Sequence, residues 1–312
     1  MKHIKRITVA LDFTDMDDQL IRYAKILNNM LAPLTTTFVN IQSQEEILFE
    51  VADLIGKISD IGFEEEQIAM RKKVASIWDD VKQYDVEYTV RGGRPYKTLM
   101  KYLNENNVDL LVMGRKTKMG EMGILPARLS RKANTDIFLV PEKTEPDFSS
   151  IYVPFDYSEN ATLAFDAAKQ IIASQKKLRL HTEYFYEMPV GVNSYGKTNE
   201  DFVELIEQYG NKKFTAIKNT LEDEIRDRIV FAITRVKDNN FARFINRSAH
   251  THNAGLIIIG AKGRTFLSSV FLGSVTEKLI SLDKNIPIWI VKQKDEVFNI
   301  WKAMKDEYEI AV

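Results

Sequence analysis

The sequence predicts an α/β protein built from two doubly wound parallel sheets in tandem. Three observations carry this. Short apolar, β-branched runs alternate with amphipathic stretches along most of the chain, the pattern of strands connected by crossover helices. The chain also repeats itself. Arg6-Ile7-Thr8-Val9-Ala10-Leu11-Asp12-Phe13-Thr14 returns as Ser150-Ile151-Tyr152-Val153-Pro154-Phe155-Asp156-Tyr157-Ser158. Asp109-Leu110-Leu111-Val112-Met113-Gly114 returns in shape as Gly255-Leu256-Ile257-Ile258-Ile259-Gly260, and Asp136-Ile137-Phe138-Leu139-Val140 as Pro287-Ile288-Trp289-Ile290-Val291. Finally, 312 residues suit two ordinary domains.

The elements follow in order. In the first half, 4–10 reads as a strand and 15–30 as a helix, with Leu20, Ala24 and Leu27 on one buried face. A β-branched strand at 35–41 precedes a long polar region and a helix over 64–82. A strand at 86–90 turns at Gly92-Gly93 into a helix over 95–106, with Pro95 near its first position. A strand at 110–113, a short helix at 127–133 and a strand at 137–140 close the half. The polar segment 142–149 joins the halves. The second half repeats the order: strands at 151–153, 178–186, 228–235, 256–259 and 288–291, helices at 159–173, 200–221, 241–252 and 275–281. The second of these helices, 200–221, is expected to be interrupted at Gly210. A terminal helix at 298–304, with Trp301, would dock on the body or on a partner. These elements place one unit at 1–143, a second at 149–294 and a tail at 295–312.

Composition narrows the function. Basic and acidic residues number 43 and 44, a net charge of -1, which argues against a dedicated nucleic-acid binder. There is no cysteine, so disulfides, thiolate catalysis and cysteine-bound metals are excluded. The basic N-terminus meets Asp12 at once and reads as a first strand rather than a signal peptide. No apolar run reaches membrane-spanning length. The expectation is a cytoplasmic protein that binds neither membrane nor nucleic acid. The four histidines show no metal spacing. Neither a nucleophile elbow nor Gly-x4-Gly-Lys-Ser/Thr occurs.

One stretch carries chemistry. The apolar run 256–259 opens into Gly260-x2-Gly263-x9-Gly273-Ser274 and then a helical pattern near Val275. Glycines let backbone N–H groups approach a ligand closely, and a helix start adds unpaired N–H groups and partial positive charge. Together they suit phosphate. Ser274 can cap the helix, donate to a phosphate, or both.

This spacing resembles the nucleotide-binding signature of the universal stress protein family, and the resemblance covers nearly the whole chain. It implies two five-stranded sheets ordered 3-2-1-4-5, paired through their last strands as an internal pseudo-dimer that can dimerise further. Edge protection gives that pairing a physical reason. It implies that ATP, AMP or ADP, with or without magnesium, binds where strands one and four diverge. Pro154, Phe155 and Asp156 would hold the nucleoside. Gly260, Gly263, Gly273 and Ser274, with Val275 and Thr276, would hold the phosphates, and Arg264 and Lys262 would meet their charge. Phe266, Leu267 and Phe271 would pack, or cover the nucleotide.

Plainer readings stand beside these. Asp156-Tyr157-Ser158 reads equally as a turn with Ser158 capping the next helix, and the glycines as loop formers. In the first half Asp12 and Gly114 are present, but Thr117, Ala127 and Arg128 replace Gly263, Gly273 and Ser274. That half reads as degenerate, although Arg115, Lys116, Lys118 and Arg128 make its loop basic enough for an altered ligand. No catalytic set stands out beyond slow ATP hydrolysis or self-phosphorylation at Ser274 or Thr276. The expected role is a nucleotide-binding sensor or regulator of stress adaptation; a scaffold that binds no nucleotide is the alternative. A nucleotidyl-transferring enzyme would need a glycine-serine loop after the first strand, which Asp12-Phe13-Thr14-Asp15 and Asp156-Tyr157-Ser158-Glu159 lack.

Overall fold

The computed structural model describes residues 3–43, 63–115, 117–118, 121–188, 198–238, 240–263 and 272–293. The expected helix at 298–304 therefore lies outside the described residues. The first half supplies β1 (Arg6–Leu11), β2 (Thr35–Gln42), β3 (Val86–Gly92), β4 (Leu110–Arg115) and β5 (Asp136–Pro141). The second supplies β6 (Ser150–Phe155), β7 (Arg179–Glu187), β8 (Ile229–Val236), β9 (Leu256–Gly260) and β10 (Ile288–Val291).

The two five-stranded sheets join through their last strands, as expected, into one continuous ten-stranded sheet. Its order is β8-β7-β6-β9-β10-β5-β4-β1-β2-β3. Each half keeps the 3-2-1-4-5 order with parallel neighbours. The halves meet antiparallel, Trp289 opposite Phe138. The reason lies in those two strands. Ile137, Phe138, Leu139, Ile288, Trp289 and Ile290 are apolar on both faces and fully buried, so each strand covers the other's open edge.

Helices cover both faces. One face carries α1 (Met16–Leu31), α2 (Glu64–Ile77), α5 (Glu159–Ser174) and α6 (Asn199–Lys218). The other carries α3 (Pro95–Glu105), α4 (Ile124–Lys132), α7 (Phe241–Thr251) and α8 (Ser274–Leu282). Strand alternation divides the core: Leu110 and Val112 face the first layer, Leu111 and Met113 the second. Among the described residues no helix is long and apolar enough to cross a membrane.

Local chemistry sets the helix ends. Pro95 opens α3. Ser158 Oγ accepts from Ala161 N–H at 3.1 Å and caps α5. Thr198 and Asp201 form a reciprocal capping box at α6. Two expectations are corrected here. The helix expected over 64–82 ends at Ile77, and a 3-10 turn, Val81–Gln83, follows. At Gly210, α6 is not interrupted. That glycine is buried against β8, where a Cβ would come within 2.6 Å of Ile233 Cδ1. The missing side chain serves close helix–sheet packing rather than a break.

Buried polar groups cross the seam. Asp136 of β5 accepts from Lys292 N–H at 2.9 Å and from Trp289 Nε1–H at 3.2 Å. Lys292 Nζ donates to Ala133 O at 2.6 Å, beyond α4. Arg115, 2% exposed, donates from Nη2 to Ile286 O at 3.0 Å and lies 3.8 Å from Asp283 Oδ1. Burial pulls the Arg115 guanidinium down to about 10, with Asp283 opposing, so it stays charged at neutral pH. The basic loop expected in the first half is corrected accordingly. Arg115 is committed to the seam, and Arg128 stacks over the Tyr96 ring at 4.0 Å. Lys116 and the side chain of Lys118 lie outside the described residues.

Candidate functional site

Strands β6 and β9 are adjacent, Leu256 opposite Ile151. Beyond β6 the chain turns to α5 on one face, and beyond β9 to α8 on the other. Divergence of this kind leaves a crevice at the carboxyl ends of the strands. A cavity of about 530 Å³ occupies it. Pro154, Phe155, Asp156, Gly260, Gly263, Gly273, Ser274, Val275 and Thr276 all line that cavity, together with Lys262. Arg264, Phe266, Leu267 and Phe271 lie outside the described residues.

Asp156 makes the turn and also lines the cavity. Its Oδ1 accepts from Ser158 N–H at 3.0 Å, which makes the turn that leads into the capped helix α5. Its Oδ2 faces the loop after β9, where a Cβ on Gly263 would come within 2.8 Å. Between them Tyr157 adopts a left-handed backbone, φ 62°. Such strain needs surrounding support. Phe155 and Tyr184 supply it, with ring centroids 5.0 Å from that of Tyr157.

The glycines act through space rather than through φ. Gly263 does not take a left-handed conformation; its lack of a side chain leaves room for the Asp156 carboxylate. A Cβ on Gly260 would fall 2.8 Å from the backbone carbonyl carbon of Asn160, so the glycine lets β9 pass close to α5. Gly273 donates its N–H to Ala261 O at 2.8 Å and accepts from Glu277 N–H at 2.9 Å.

Two sequence expectations are corrected at this loop. Ser274 does not cap α8: Gly273 holds the cap position, without a side-chain cap, and Ser274 is the first helical residue. The Ser274 hydroxyl therefore has no capping duty, and the amides of Ser274, Val275 and Thr276 have no acceptor within the helix. Thr276 does not offer its hydroxyl to a ligand. It is 3% exposed, and its Oγ1 donates to Gly260 O at 3.0 Å, tying α8 to the end of β9.

Sequence reading missed much of the cavity wall. Tyr184, Phe185 and Tyr186 come from β7, Phe202 and Ile206 from α6, and Phe241 from α7. The aromatic run at the carboxyl end of β7 was the available signal, since that strand neighbours β6. Residues of α6 had none, because their approach depends on how the helix docks. Burial pushes the Tyr186 hydroxyl up, which keeps it protonated at neutral pH.

The equivalent corner of the first half is differently built. Asp12 Oδ1 accepts from Thr14 N–H and Oγ1–H at 3.2 and 2.6 Å. Asp17, fully buried, accepts from Asp12 N–H at 3.1 Å and Phe13 N–H at 2.9 Å. The repeat puts Ala161, a cavity-lining residue, in its place in the second half. Burial pushes the Asp17 carboxyl up to about 6, against the lowering effect of those amides. The first half fills with its own carboxylate a corner that the second leaves open. Among the described residues no group of three His, Asp or Glu could hold a metal ion.

Comparison with known proteins fits this doubled architecture. A model of the universal stress protein family matches residues 3–141 and again 147–292. The chain belongs to the universal stress protein family. Universal stress protein E of Photorhabdus laumondii is 25% identical over 305 residues, 90% of this chain and 92% of that one. Universal stress protein MJ0577 of Methanocaldococcus jannaschii is 29% identical over 166 residues, 47% of this chain and 97% of that one. The family fold extends to solved structures. A universal stress protein from Archaeoglobus fulgidus superposes with TM-score 0.61 at 15% identity, covering 94% of this chain and 98% of its own. A functionally unknown Pseudomonas aeruginosa protein does so with TM-score 0.66 at 13% identity, covering 97% and 98%.

Proposed function

We propose that this universal stress protein binds one adenine nucleotide, ATP or its di- or monophosphate, in the cavity between β6 and β9, and acts through it as a cytoplasmic regulator of stress adaptation. One observation carries the reading. The Asp156 carboxylate, the closely packed glycine loop and the uncapped amino end of α8 converge on a single cavity. The residues fit the ligand's parts. Aromatic rings of Phe155 and Tyr186 offer an apolar wall to a base. Asp156 is an acceptor for ribose hydroxyls. The amides of Ser274, Val275 and Thr276, with the Ser274 hydroxyl, suit phosphate oxygens. Arg264 would add charge from the loop, and magnesium would arrive with the nucleotide. In this reading the first unit (1–143) supports the second (149–294), and the tail (295–312) stays outside the site.

Isothermal titration of magnesium-ATP into nucleotide-free protein tests it, repeated with Gly263→Val and Gly114→Val. Binding at one site per chain, lost in Gly263→Val and kept in Gly114→Val, is expected. No heat from folded protein overturns the proposal in favour of a scaffold role. Two sites per chain would overturn the inactive status of the first half.

A further inference from the structure

We propose that Arg115, in the first half, is a positioning residue for the phosphate end of the second half's site, an inference that rests on the nucleotide reading above. Arg115 follows Gly114, so the repeat places it at the position of Ala261, within the loop that lines the second half's cavity. In the first half that position no longer shapes a loop for a ligand. Its guanidinium crosses the seam to the far end of α8, donating to Ile286 O at 3.0 Å with Asp283 Oδ1 3.8 Å away.

Asp283 is the residue that ends α8. Its N–H donates to Leu279 O at 3.0 Å. Its carboxylate accepts from Asn285 N–H at 2.9 Å and Ile286 N–H at 2.7 Å, and Oδ2 lies 2.8 Å from His250 Nε2. A buried carboxylate at the carboxyl end of a helix sits against the negative end of the helix dipole. Arg115 supplies the buried positive charge that offsets it. The helix held there begins at Ser274, which lines the cavity at the opposite end. Nine helical residues span about 13 Å and move as a rigid rod. Displacing the carboxyl end therefore displaces the amides that meet phosphate.

The molecule contains its own control. Lys292 of the second half crosses the seam the other way and donates to Ala133 O and Leu129 O at the end of α4. Both cations are buried and both bridge the halves. Arg115 grips the helix that starts at the cavity, whereas Lys292 grips its counterpart in the half whose corner Asp17 fills.

The test compares full-length wild type, Arg115→Met, Arg115→Lys and Lys292→Met by titration with magnesium-ATP and by hydrogen exchange of the ligand-free proteins. Arg115→Met is expected to weaken ATP binding about tenfold and speed exchange across 274–282. Arg115→Lys, which keeps the charge but loses the fork geometry, should fall between it and wild type. Lys292→Met should speed exchange across 124–132 and leave affinity within twofold. Equal weakening by Arg115→Met and Lys292→Met would overturn the assignment, as would unchanged affinity in Arg115→Met. If Arg115→Met does not fold, wild-type affinity in Arg115→Lys overturns it instead. If wild type binds no ATP, the nucleotide reading fails separately. Exchange then decides alone, and unchanged protection of α8 in the Arg115 variants rejects the brace.

Discussion

Gly263→Ala isolates the contact on which the cavity is built. The added methyl would start 2.8 Å from Asp156 Oδ2, where ordinary contact begins at 3.4 Å. The carboxylate must retreat by about 0.6 Å or swing to another rotamer. The bond from Ser158 N–H to Oδ1 is already 3.0 Å long. A retreat of that size stretches it to the limit of useful geometry. A hydrogen bond to a charged acceptor contributes roughly 1.5–3 kcal/mol, and the Ser158 cap of α5, which is separate, survives. Losing about half of that bond, together with the placement of Oδ2, predicts a tenfold to thirtyfold weaker ATP affinity, about 1.4–2 kcal/mol. Titration calorimetry measures it, with thermal melting as a check on folding. Because the methyl acts through the carboxylate, a double variant with Asp156→Ala should bind no worse than Asp156→Ala alone. Wild-type affinity in Gly263→Ala, or simple additivity in the double variant, would refute the reasoning.

Three further outcomes concern stability, each read from urea unfolding. Gly260→Ala should cost about 1–3 kcal/mol, because its methyl meets Asn160 backbone, while Gly114→Ala meets the flexible Met16 side chain and should cost less; equal costs would count against this reading. The Asp17 carboxyl, held at about 6 against an ordinary 3.8, favours the folded state only when protonated. Its contribution is full below pH 3.8 and is lost as pH rises through 6, up to about 3 kcal/mol in all, so Asp17→Asn should remove a fall in stability between pH 4 and 7. Tyr152→Phe takes a 2.6 Å donor from the buried Glu183 carboxylate, leaving the Thr234 and Ser248 hydroxyls, and should cost about 1–3 kcal/mol; a neutral result would mean that those two suffice.

What the sequence showed and what it hid divide along one physical line. The strands and their doubling were legible because buried parallel strands must be apolar throughout, as in 256–259 and 288–291. The glycines were legible because close approach forbids a Cβ, whichever ligand or carboxylate fills the space. Asp17 was hidden, since an aspartate in the first turn of a helix reads as a favourable charge near the dipole. Only the fold shows it accepting the Asp12 and Phe13 amides just beyond β1. Arg115 was hidden more deeply, since its acceptor lies 171 residues away across a seam that no local pattern encodes. Thr276 sat within the motif, yet its hydroxyl is turned back to Gly260. The residues that misled are the ones whose partners are distant or whose side chains face the protein. The same distinction explains the divergence of the halves. Once Asp17 fills the corner beside β1, the loop after β4 need not approach a ligand. Arg115, at the end of β4, is then left to reach Ile286 O and Asp283 across the seam.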